Sequence, residues 1–176
     1  MEDVVTPMCI GTGLTLAEGI NFDREGTLYC VDVYGGGIWR MLPGGALREW
    51  VHTGGGPNGS RFGPNGDLFI ADCVRKAILH FSTARAQETV YADHCDGRPF
   101  RGPKDLCFGP DGTLYFTDPT GLALAECIGA VYAVAPDGSV APLATRRRLT
   151  RAIVVWPLSM RRLSGACSAA SPTGTP

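Results

Sequence analysis

Three copies of one short pattern recur along this chain of 176 residues. Each copy has an aromatic residue, a Gly-containing turn and a Leu-aromatic pair, and an Asp follows three residues later. The copies cover residues 22–29, 62–69 and 108–115. A period of about 40 to 50 residues with short strands is typical of β-propeller blades, each a small four-stranded sheet that buries its faces against its neighbours. The repeat therefore predicts an all-β fold, a β-propeller.

The turns within the copies indicate hairpins, because Gly26, Gly66 and Gly112 can adopt a left-handed backbone conformation at no steric cost. Aromatic and β-branched residues on either side are typical of strands. The predicted strands cover residues 27–33, 37–41, 46–51, 67–72, 77–81, 88–92, 113–117, 130–135 and 140–144. Asp32, Asp72 and Asp118 recur in every copy, so we expect them to be structural and to hydrogen-bond a neighbouring turn.

The chain is short for a closed ring. At about 45 residues per blade it supplies three to four blades, near the lower limit for a propeller. We therefore expect an incomplete ring. Either another chain completes this ring, or the chain itself is incomplete. An open blade face and an unpaired strand edge favour self-association through that edge.

Charge and hydropathy exclude several classes of protein. A net charge of −1 argues against a nucleic-acid partner or an anionic membrane surface. No segment has the roughly 18 consecutive apolar residues of a membrane span, and residues 1–19 do not resemble a signal peptide. We therefore expect a cytoplasmic location, with no nucleic-acid and no membrane partner.

The last part of the chain has a different composition. No Asp or Glu occurs from residue 138 to residue 176, while six arginines lie between residues 146 and 162. We therefore divide the chain into a partial β-propeller, residues 1–145, and an atypical tail, residues 146–176, that is Arg-rich and then rich in Ser, Ala, Thr and Pro. Because the blade pattern stops at the same place, we hypothesise that the reading frame shifts near Thr145 or that the tail is disordered.

Equivalent positions in the repeat indicate a site at the propeller axis. The residue four places before each leading aromatic is Glu18, Asn58 or Lys104. These residues begin the strand that lines the central channel, so we expect them to converge from successive blades. A carboxylate beside a carboxamide suits a hard cation such as Ca²⁺, which takes oxygen ligands from several chain segments. The alternative is that both are solvated residues at strand edges.

Several spaced motifs between residues 16 and 145 carry a resemblance to a known family. They are Leu-Ala-Glu-Gly at 16–19, Leu-Tyr-Cys-Val-Asp-Val at 28–33, Gly-Pro-Lys-Asp-Leu at 102–106 and Leu-Tyr-Phe-Thr-Asp-Pro-Thr-Gly at 114–121. The chain resembles the gluconolactonase, regucalcin (senescence marker protein) and luciferin-regenerating-enzyme-like family. This resemblance implies a six-bladed β-propeller that holds one divalent cation, Ca²⁺ or Zn²⁺, and hydrolyses sugar lactones.

The resemblance also implies roles for individual residues. Glu18 matches the metal-ligating carboxylate of the family, and Asn58 is a secondary candidate for the site. Pro103-Lys104-Asp105 matches a Pro-Asn-Asp motif in which Asn contacts substrate or metal, so Lys104 is a departure: an ammonium donates hydrogen bonds but cannot ligate a cation. Lys104, Asp105, Arg101 and Asn58 are the predicted substrate-binding residues. The family's general-base Asp would lie beyond Pro176, so no catalytic residue is assigned.

Two functions from different classes remain open, besides a truncated product without function. The first is a metal-dependent lactonase-type hydrolase of a small-molecule lactone, inactive if the chain lacks its other site residues. The second is a non-catalytic propeller module that binds a small ligand or a protein, with Lys104 and Arg101 recruiting an anion. His52, His80 and His94 share no repeat position, so the sequence supports neither a histidine metal site nor a Ser-His-Asp triad.

Overall fold

The computed structural model describes residues 6–119 and 129–144. Within these ranges the chain forms strands joined by turns, and none of the described segments is a helix able to cross a membrane. The strands are β1 Ala17–Phe22, β2 Leu28–Asp32, β3 Gly37–Met41, β4 Arg48–His52, β5 Pro57–Phe62, β6 Leu68–Asp72, β7 Ala77–Ser82, β8 Gln87–Ala92, β9 His94–Cys95, β10 Arg98–Pro99, β11 Leu106–Phe108, β12 Leu114–Asp118, β13 Ala130–Val134 and β14 Val140–Ala144.

Three antiparallel sheets, each of four consecutive strands, make up most of the described chain. We call them blade 1 (β1 to β4), blade 2 (β5 to β8) and blade 3 (β11 to β14). This arrangement confirms the predicted all-β propeller fold, with three blades in the described residues. The predicted tail, residues 146–176, lies outside the described residues, so the division of the chain at residue 145 stays a prediction.

The repeated turns set the same strand register in each blade. Gly26, Gly66 and Gly112 have φ values of 81°, 85° and 82°, a left-handed conformation that favours glycine. Each turn places the following Leu at the start of the second strand, where it pairs with the leading aromatic: Phe22 with Leu28, Phe62 with Leu68, and Phe108 with Leu114. The sequence repeat is therefore also a repeat of strand pairing.

Packing between blades forms two clusters of buried side chains. Between blades 1 and 2 the cluster contains Tyr29, Val31, Ile38, Leu68, Ile70, Ala77, Leu79 and Phe81. Between blades 2 and 3 it contains Phe69, Ala71, Ile78, Ala92, Cys95, Phe100, Leu106, Leu114, Phe116 and Val134. Alternate residues of β6 belong to different clusters because successive side chains of a strand point to opposite faces. Blade 2 thus buries both faces against its neighbours.

A short hairpin, β9 and β10, was not predicted from the sequence. Its turn contains Asp96 and Gly97, both with positive φ. The chain leaves the hairpin at Phe100, which is 1% exposed and packs edge-on against Phe116 with ring centroids 4.8 Å apart. The hairpin therefore anchors the entry to blade 3 through an aromatic side chain.

Candidate functional site

The innermost strands of the three blades, β1, β5 and β11, run side by side. The Ser60 hydroxyl donates to the Gly19 carbonyl oxygen at 2.5 Å, and the Gly59 N–H donates to the Lys104 carbonyl oxygen at 2.6 Å. A Cβ atom on Gly19 would lie 2.6 Å from the Asn58 carbonyl oxygen, and one on Gly59 would lie 2.6 Å from that of Lys104. The glycines therefore permit a close approach that brings together the segments carrying the predicted axial residues.

Glu18 and Asn58 lie on neighbouring strands of this inner edge. Glu18 is exposed on β1 and pairs across the sheet with Val31, while Asn58 is half-buried on β5. Their segments adjoin through Gly19, as the repeat predicts. The structure thus places a free carboxylate next to the segment that carries the amide, and the ligand roles of both residues stay predictions.

The backbone hydrogen bonds of Lys104 and Asp105 hold both residues in place although their side chains are exposed. The Lys104 N–H donates to the Thr117 carbonyl oxygen at 3.0 Å, and the Thr117 N–H donates to the Asp105 carbonyl oxygen at 2.9 Å. The Asp105 N–H also donates to the Thr117 hydroxyl at 3.2 Å. The sequence pattern predicted that Lys104 begins the third inner strand. This prediction is wrong, because that strand begins at Leu106 and Lys104 lies in the loop before it. The Lys104 ammonium and the Asp105 carboxylate therefore project from a fixed loop.

The recurring aspartates fasten the segment that enters each inner strand, as predicted. Asp32 accepts hydrogen bonds from the N–H groups of Thr15 and Leu16, and Asp72 accepts one from Gly56. In blade 3, Asp118 accepts from the N–H groups of Arg101 and Gly102 at 3.0 and 2.7 Å. Arg101 is therefore held by its backbone, and its exposed guanidinium is left available to a ligand.

The environment of Asp32 shows how these carboxylates are stabilised. Burial alone would raise the pKa of the Asp32 carboxyl, but the N–H groups of Thr15, Leu16 and Gly35 that donate to it outweigh burial and hold its pKa below the usual range. The side chain is 3% exposed. An Asp committed in this way is a structural anion and not a general base.

Cys73 lies near Lys104 and was not singled out from the sequence. Burial raises the pKa of the Cys73 thiol, the Asp72 carboxylate raises it further, and the Lys104 ammonium acts in the opposite direction. A thiol with a raised pKa remains protonated at neutral pH and is a weak nucleophile. Cys73 therefore contributes a small side chain beside the Lys104 loop and no reactive thiolate.

A polar network between the inner strands was also missed. The Arg61 guanidinium donates to the Asn21 side-chain oxygen at 3.0 Å, and the Asn21 amide donates to the Ser60 carbonyl oxygen at 2.6 Å. Arg61 lies within 3.5 Å of the Leu106 carbonyl oxygen as well. One side chain thus spans three blades. The only signal in the sequence was that Asn21 and Arg61, both polar, occupy the same repeat position, one residue before the leading aromatic.

His80 takes part in a small side-chain array that the sequence did not indicate. Its Nε2 lies 2.9 Å from Asp67 Oδ2, and its Nδ1 lies 3.2 Å from the Thr89 hydroxyl. The Asp67 carboxylate also accepts a hydrogen bond from the Asn65 amide at 2.8 Å, within the hairpin turn of blade 2. These contacts tie the turn to β7 and β8, so the array has a structural explanation.

The described residues do not fit a complete divalent-cation site. A hard cation takes six to eight oxygen ligands, and three or more protein groups normally supply them. Within residues 6–119 and 129–144, no group of three or more His, Cys, Asp or Glu side chains could hold a metal ion. Glu18 and Asp105 both lie beside the Asn58–Gly59 segment, but only Glu18 was predicted as a ligand, and one ligand leaves most of the coordination shell to water.

Comparison with curated proteins shows relatives among lactonases and related propellers. The chain is 33% identical over 105 residues to the gluconolactonase of Zymomonas mobilis, covering 55% of this chain and 28% of that protein. It is 31% identical over 115 residues to strictosidine synthase-like 7 of Arabidopsis thaliana, covering 62% and 31%. It is 29% identical over 145 residues to lactonase drp35 of Staphylococcus aureus strain MW2, covering 71% and 39%. The chain therefore spans well under half the length of these relatives.

Solved structures show the same fold. A gluconolactonase from Xanthomonas campestris matches with a TM-score of 0.67 at 22% identity, covering 75% of this chain and 48% of that chain. Regucalcin from Agrobacterium tumefaciens, a calcium-binding protein, matches with a TM-score of 0.60 at 22% identity, covering 76% and 44%. Three blades of this chain thus correspond to about half of each propeller.

The family assignment follows from a match along most of the chain, which includes all three blades. The model of the SMP-30/Gluconolactonase/LRE-like region matches residues 16–153. This match begins at the segment that enters β1 and passes through every inner strand described above. The chain belongs to the SMP-30/gluconolactonase/LRE-like family.

Proposed function

We propose that this chain is part of a lactonase-type hydrolase that acts on a sugar lactone. The observation that carries the proposal is the family match over residues 16–153, which spans the inner strands and the loop bearing Lys104. Relatives named gluconolactonase and lactonase support a lactone as the class of substrate. The chain covers 28% and 39% of the length of those two relatives, so their activity comes to this chain only as a proposal.

In this proposal the inner edge of the blades binds the substrate. A sugar lactone offers a carbonyl oxygen and several hydroxyl groups, so it needs both donors and acceptors of hydrogen bonds. The Asn58 amide, the Lys104 ammonium and the Arg101 guanidinium are donors, and the Asp105 carboxylate is an acceptor. The fixed backbones of Lys104 and Asp105 reduce the entropy lost when the substrate binds.

Hydrolysis also requires a base for the attacking water and a group that stabilises the developing oxyanion. We assign no general base, because Asp32, Asp72 and Asp118 are occupied by backbone N–H groups. In this proposal the exposed Lys104 ammonium donates to the oxygen that gains negative charge. A divalent cation, Ca²⁺ or Zn²⁺, remains the cofactor we propose, with Glu18 as its ligand.

The test is hydrolysis of glucono-1,5-lactone by the purified chain, measured as acid release above the spontaneous rate. The assay is run with a chelator and again with added Ca²⁺ or Zn²⁺. Activity that the chelator removes supports the lactonase proposal and its metal dependence. Equal rates with and without protein, under all three conditions, contradict hydrolysis by this chain.

A second candidate function is an anion-binding module without catalysis. It is favoured by two cationic side chains, Arg101 and Lys104, that lie in one short loop and form no ion pair within the part of the chain the structure describes. Calorimetric titration with D-gluconate tests it. We expect binding that Lys104→Met abolishes and that Arg85→Met, on the turn at the opposite end of blade 2, leaves unchanged. Hydrolysis without binding of the anion contradicts this second function.

A further inference from the structure

At the junction between blades 1 and 2, the chain places a guanidinium group on a cluster of aromatic rings. Tyr29 packs edge-on against Trp50 and Phe62, with ring centroids 5.5 and 5.2 Å apart. The guanidinium carbon of Arg40 lies over the Trp50 ring, 5.5 Å from its centroid. A cation at this distance is attracted by the negative face of the π-system. The first junction therefore contains a cation–π contact that the chain itself supplies.

The junction between blades 2 and 3 repeats this aromatic cluster. Phe69 packs edge-on against Tyr91 and Phe108, with ring centroids 5.0 Å apart in both cases. Tyr91 corresponds to Trp50, because each is the extra residue at the bulge between the third and fourth strands of its blade. The second junction thus has the same three rings in the same arrangement.

His80 occupies the position of Arg40 at the second junction. Both residues pair across the sheet with the equivalent aromatic residue of the second strand. The two ring nitrogens of His80 are engaged, since Nε2 lies 2.9 Å from Asp67 Oδ2 and Nδ1 lies 3.2 Å from the Thr89 hydroxyl. A proton on His80 would be balanced by the Asp67 carboxylate. In the part of the chain that the structure describes, no Lys or Arg side chain lies over the Tyr91 ring.

The second junction also has an excess of negative charge. At four equivalent polar positions, the first junction has one cationic and one anionic side chain: Arg40, Glu25, Thr27 and Asn65. The second junction has two carboxylates and neither Lys nor Arg at these positions: His80, Asn65, Asp67 and Asp111. The aromatic cluster of the second junction is therefore complementary to a cation that these positions do not provide.

A cavity of about 400 Å³ lies at this cluster. Its walls include Phe69, Tyr91, Phe108, His80, Asn65 and Asp111. No Lys or Arg among the described residues lines it. Asp111 and Pro136 lie on the two turns at one end of blade 3, whereas the described ranges stop at residues 119, 129 and 144, at the other end of its strands. We call this space the aromatic cavity.

Two side chains of the aromatic cavity have the protonation states that favour a cation. The N–H and the hydroxyl of Thr113 each donate to the Asp111 carboxylate at 3.0 Å. These bonds hold the pKa of the Asp111 carboxyl below its usual range, so the group is ionised at neutral pH. Burial raises the pKa of the Tyr91 hydroxyl, so the phenol stays neutral. The cavity thus combines a carboxylate with uncharged aromatic rings.

We propose that the aromatic cavity binds a small molecule that carries a guanidinium group, with this group on the Tyr91 ring and beside the Asp111 carboxylate. The contact of Arg40 with Trp50 shows that the same type of cluster accommodates a guanidinium. Because Asp111 follows β11 and Lys104 precedes it, the cavity lies at the opposite end of blade 3 from the residues of the proposed lactonase function. Binding here is independent of that function.

The first experiment is a titration of the nitrogen-15-labelled full chain with methylguanidinium chloride, followed by amide chemical shifts at constant ionic strength. Methylurea, which is neutral and of similar shape, is the control ligand. We expect saturable shifts around Tyr91 and Asp111, with a dissociation constant on the order of 1 mM. The amides of Tyr29 and Trp50 should not shift, because Arg40 already occupies that cluster. Methylurea should bind at least about tenfold more weakly, since it lacks the charge.

Two substitutions test the residues that hold the guanidinium. Tyr91→Leu should raise the dissociation constant at least about fivefold, because it removes the ring and keeps an apolar side chain. Asp111→Asn should raise it about threefold through the loss of the charge. The matched controls are Tyr34→Leu, at a tyrosine that is 77% exposed on the β2–β3 turn, and Asp137→Asn, at a turn carboxylate that accepts from the Ser139 N–H at 2.9 Å and does not line the cavity. Both controls should leave the dissociation constant unchanged.

A third substitution fills the cavity from within. His80→Arg restores the side chain that the first junction has, and its guanidinium should cover Tyr91 as that of Arg40 covers Trp50. We therefore expect this variant to lose methylguanidinium binding. Circular dichroism and thermal melting check that every variant folds.

Three outcomes would overturn the proposal. The lack of any saturable shift at Tyr91 and Asp111 excludes the site, including the case in which other residues of the chain fill the cavity. Equal binding of methylurea shows that the positive charge plays no part. Equal dissociation constants for Tyr91→Leu and Tyr34→Leu show that the cation binds elsewhere.

Discussion

At the residue scale, the recurring Asp is the key side chain of each blade. Asp72 accepts hydrogen bonds from the N–H groups of Gly56, Val74 and Arg75, all at or below 3.1 Å. It is 0% exposed, and its hydrogen bonds join the segment that enters β5 to the turn between β6 and β7. A buried carboxylate is tolerated here because several donors replace its water.

Asp32→Asn tests this role through its pH dependence. The pKa of Asp32 is lowered in the folded chain, so its carboxylate stabilises the fold at pH values above about 4, the usual Asp value. That contribution is lost as the pH falls through the folded-state pKa. We expect wild type to exceed the variant in free energy of unfolding at neutral pH and the difference to shrink below about pH 4. Urea unfolding at a series of pH values measures it, and a difference that does not vary with pH contradicts the assignment.

At the scale of the strand, glycines control how closely the inner strands approach. Gly59 lets β5 touch the chain just before β11, where a Cβ would meet the Lys104 carbonyl oxygen at 2.6 Å and Asp105 Cα at 2.7 Å. Backbone atoms cannot move aside as a flexible side chain can. The distance between blades at the axis is thus set by the absence of a side chain.

Gly59→Ala should therefore separate these strands and reduce the free energy of unfolding by about 1 to 3 kcal/mol. Gly102→Ala is the matched control, since its Cβ would be 3.4 Å from the nearest atom, an ordinary contact, and its φ is not left-handed. Chemical denaturation of both variants measures the difference. Equal losses in the two variants would show that the close approach at Gly59 has no energetic consequence.

At the scale of the whole molecule, stability depends on which blades have two neighbours. Repeat proteins are stabilised by contacts between adjacent units, so an end unit has fewer of them. Blade 2 is central: Phe62 contacts Tyr29 of blade 1 and Phe69 contacts Phe108 of blade 3, at ring-centroid distances of 5.2 and 5.0 Å. Blade 3 carries the equivalent Tyr115 on the face that is turned away from blade 2.

Phe69→Ala should lower the free energy of unfolding by about 3 to 5 kcal/mol, because it opens a cavity between two blades. Tyr115→Ala should cost less under conditions where the chain is monomeric, since that ring is only half-buried. Denaturant melts of both variants at low protein concentration provide the comparison. A larger loss for Tyr115→Ala would contradict this ranking of the two aromatic side chains.

Local pattern predicted most of the fold. The strand at Gly37–Met41 was predicted with its observed bounds, and the strand predicted at 46–51 is observed two residues later at its start, at Arg48–His52. Turn glycines and alternating side chains are local signals, so the sequence carries them. The β9–β10 hairpin was missed because strands of two residues are too short to show alternation.

The candidate site was predicted only in part, because the sequence carries local signals and not the contacts between blades. Repeat alignment identified Glu18, Asn58 and Lys104 as equivalent, and the structure places their segments side by side through Gly19 and Gly59. The repeat alignment could not indicate the contact between Arg61 and Asn21, because that pair joins different blades across forty positions. Such contacts depend on where whole sheets lie.

By itself, then, the sequence determined the blades, their turns and the order in which equivalent residues follow one another, since these depend on interactions within a single repeat. Only the tertiary structure decided which of the equivalent residues are buried. Phe22 and Phe62 stand in the same local pattern, yet one is 62% exposed and the other packs against Tyr29. Blade 1 supplies the ring that packs against Phe62, and packing between blades is a property of the assembled sheets that no single repeat contains.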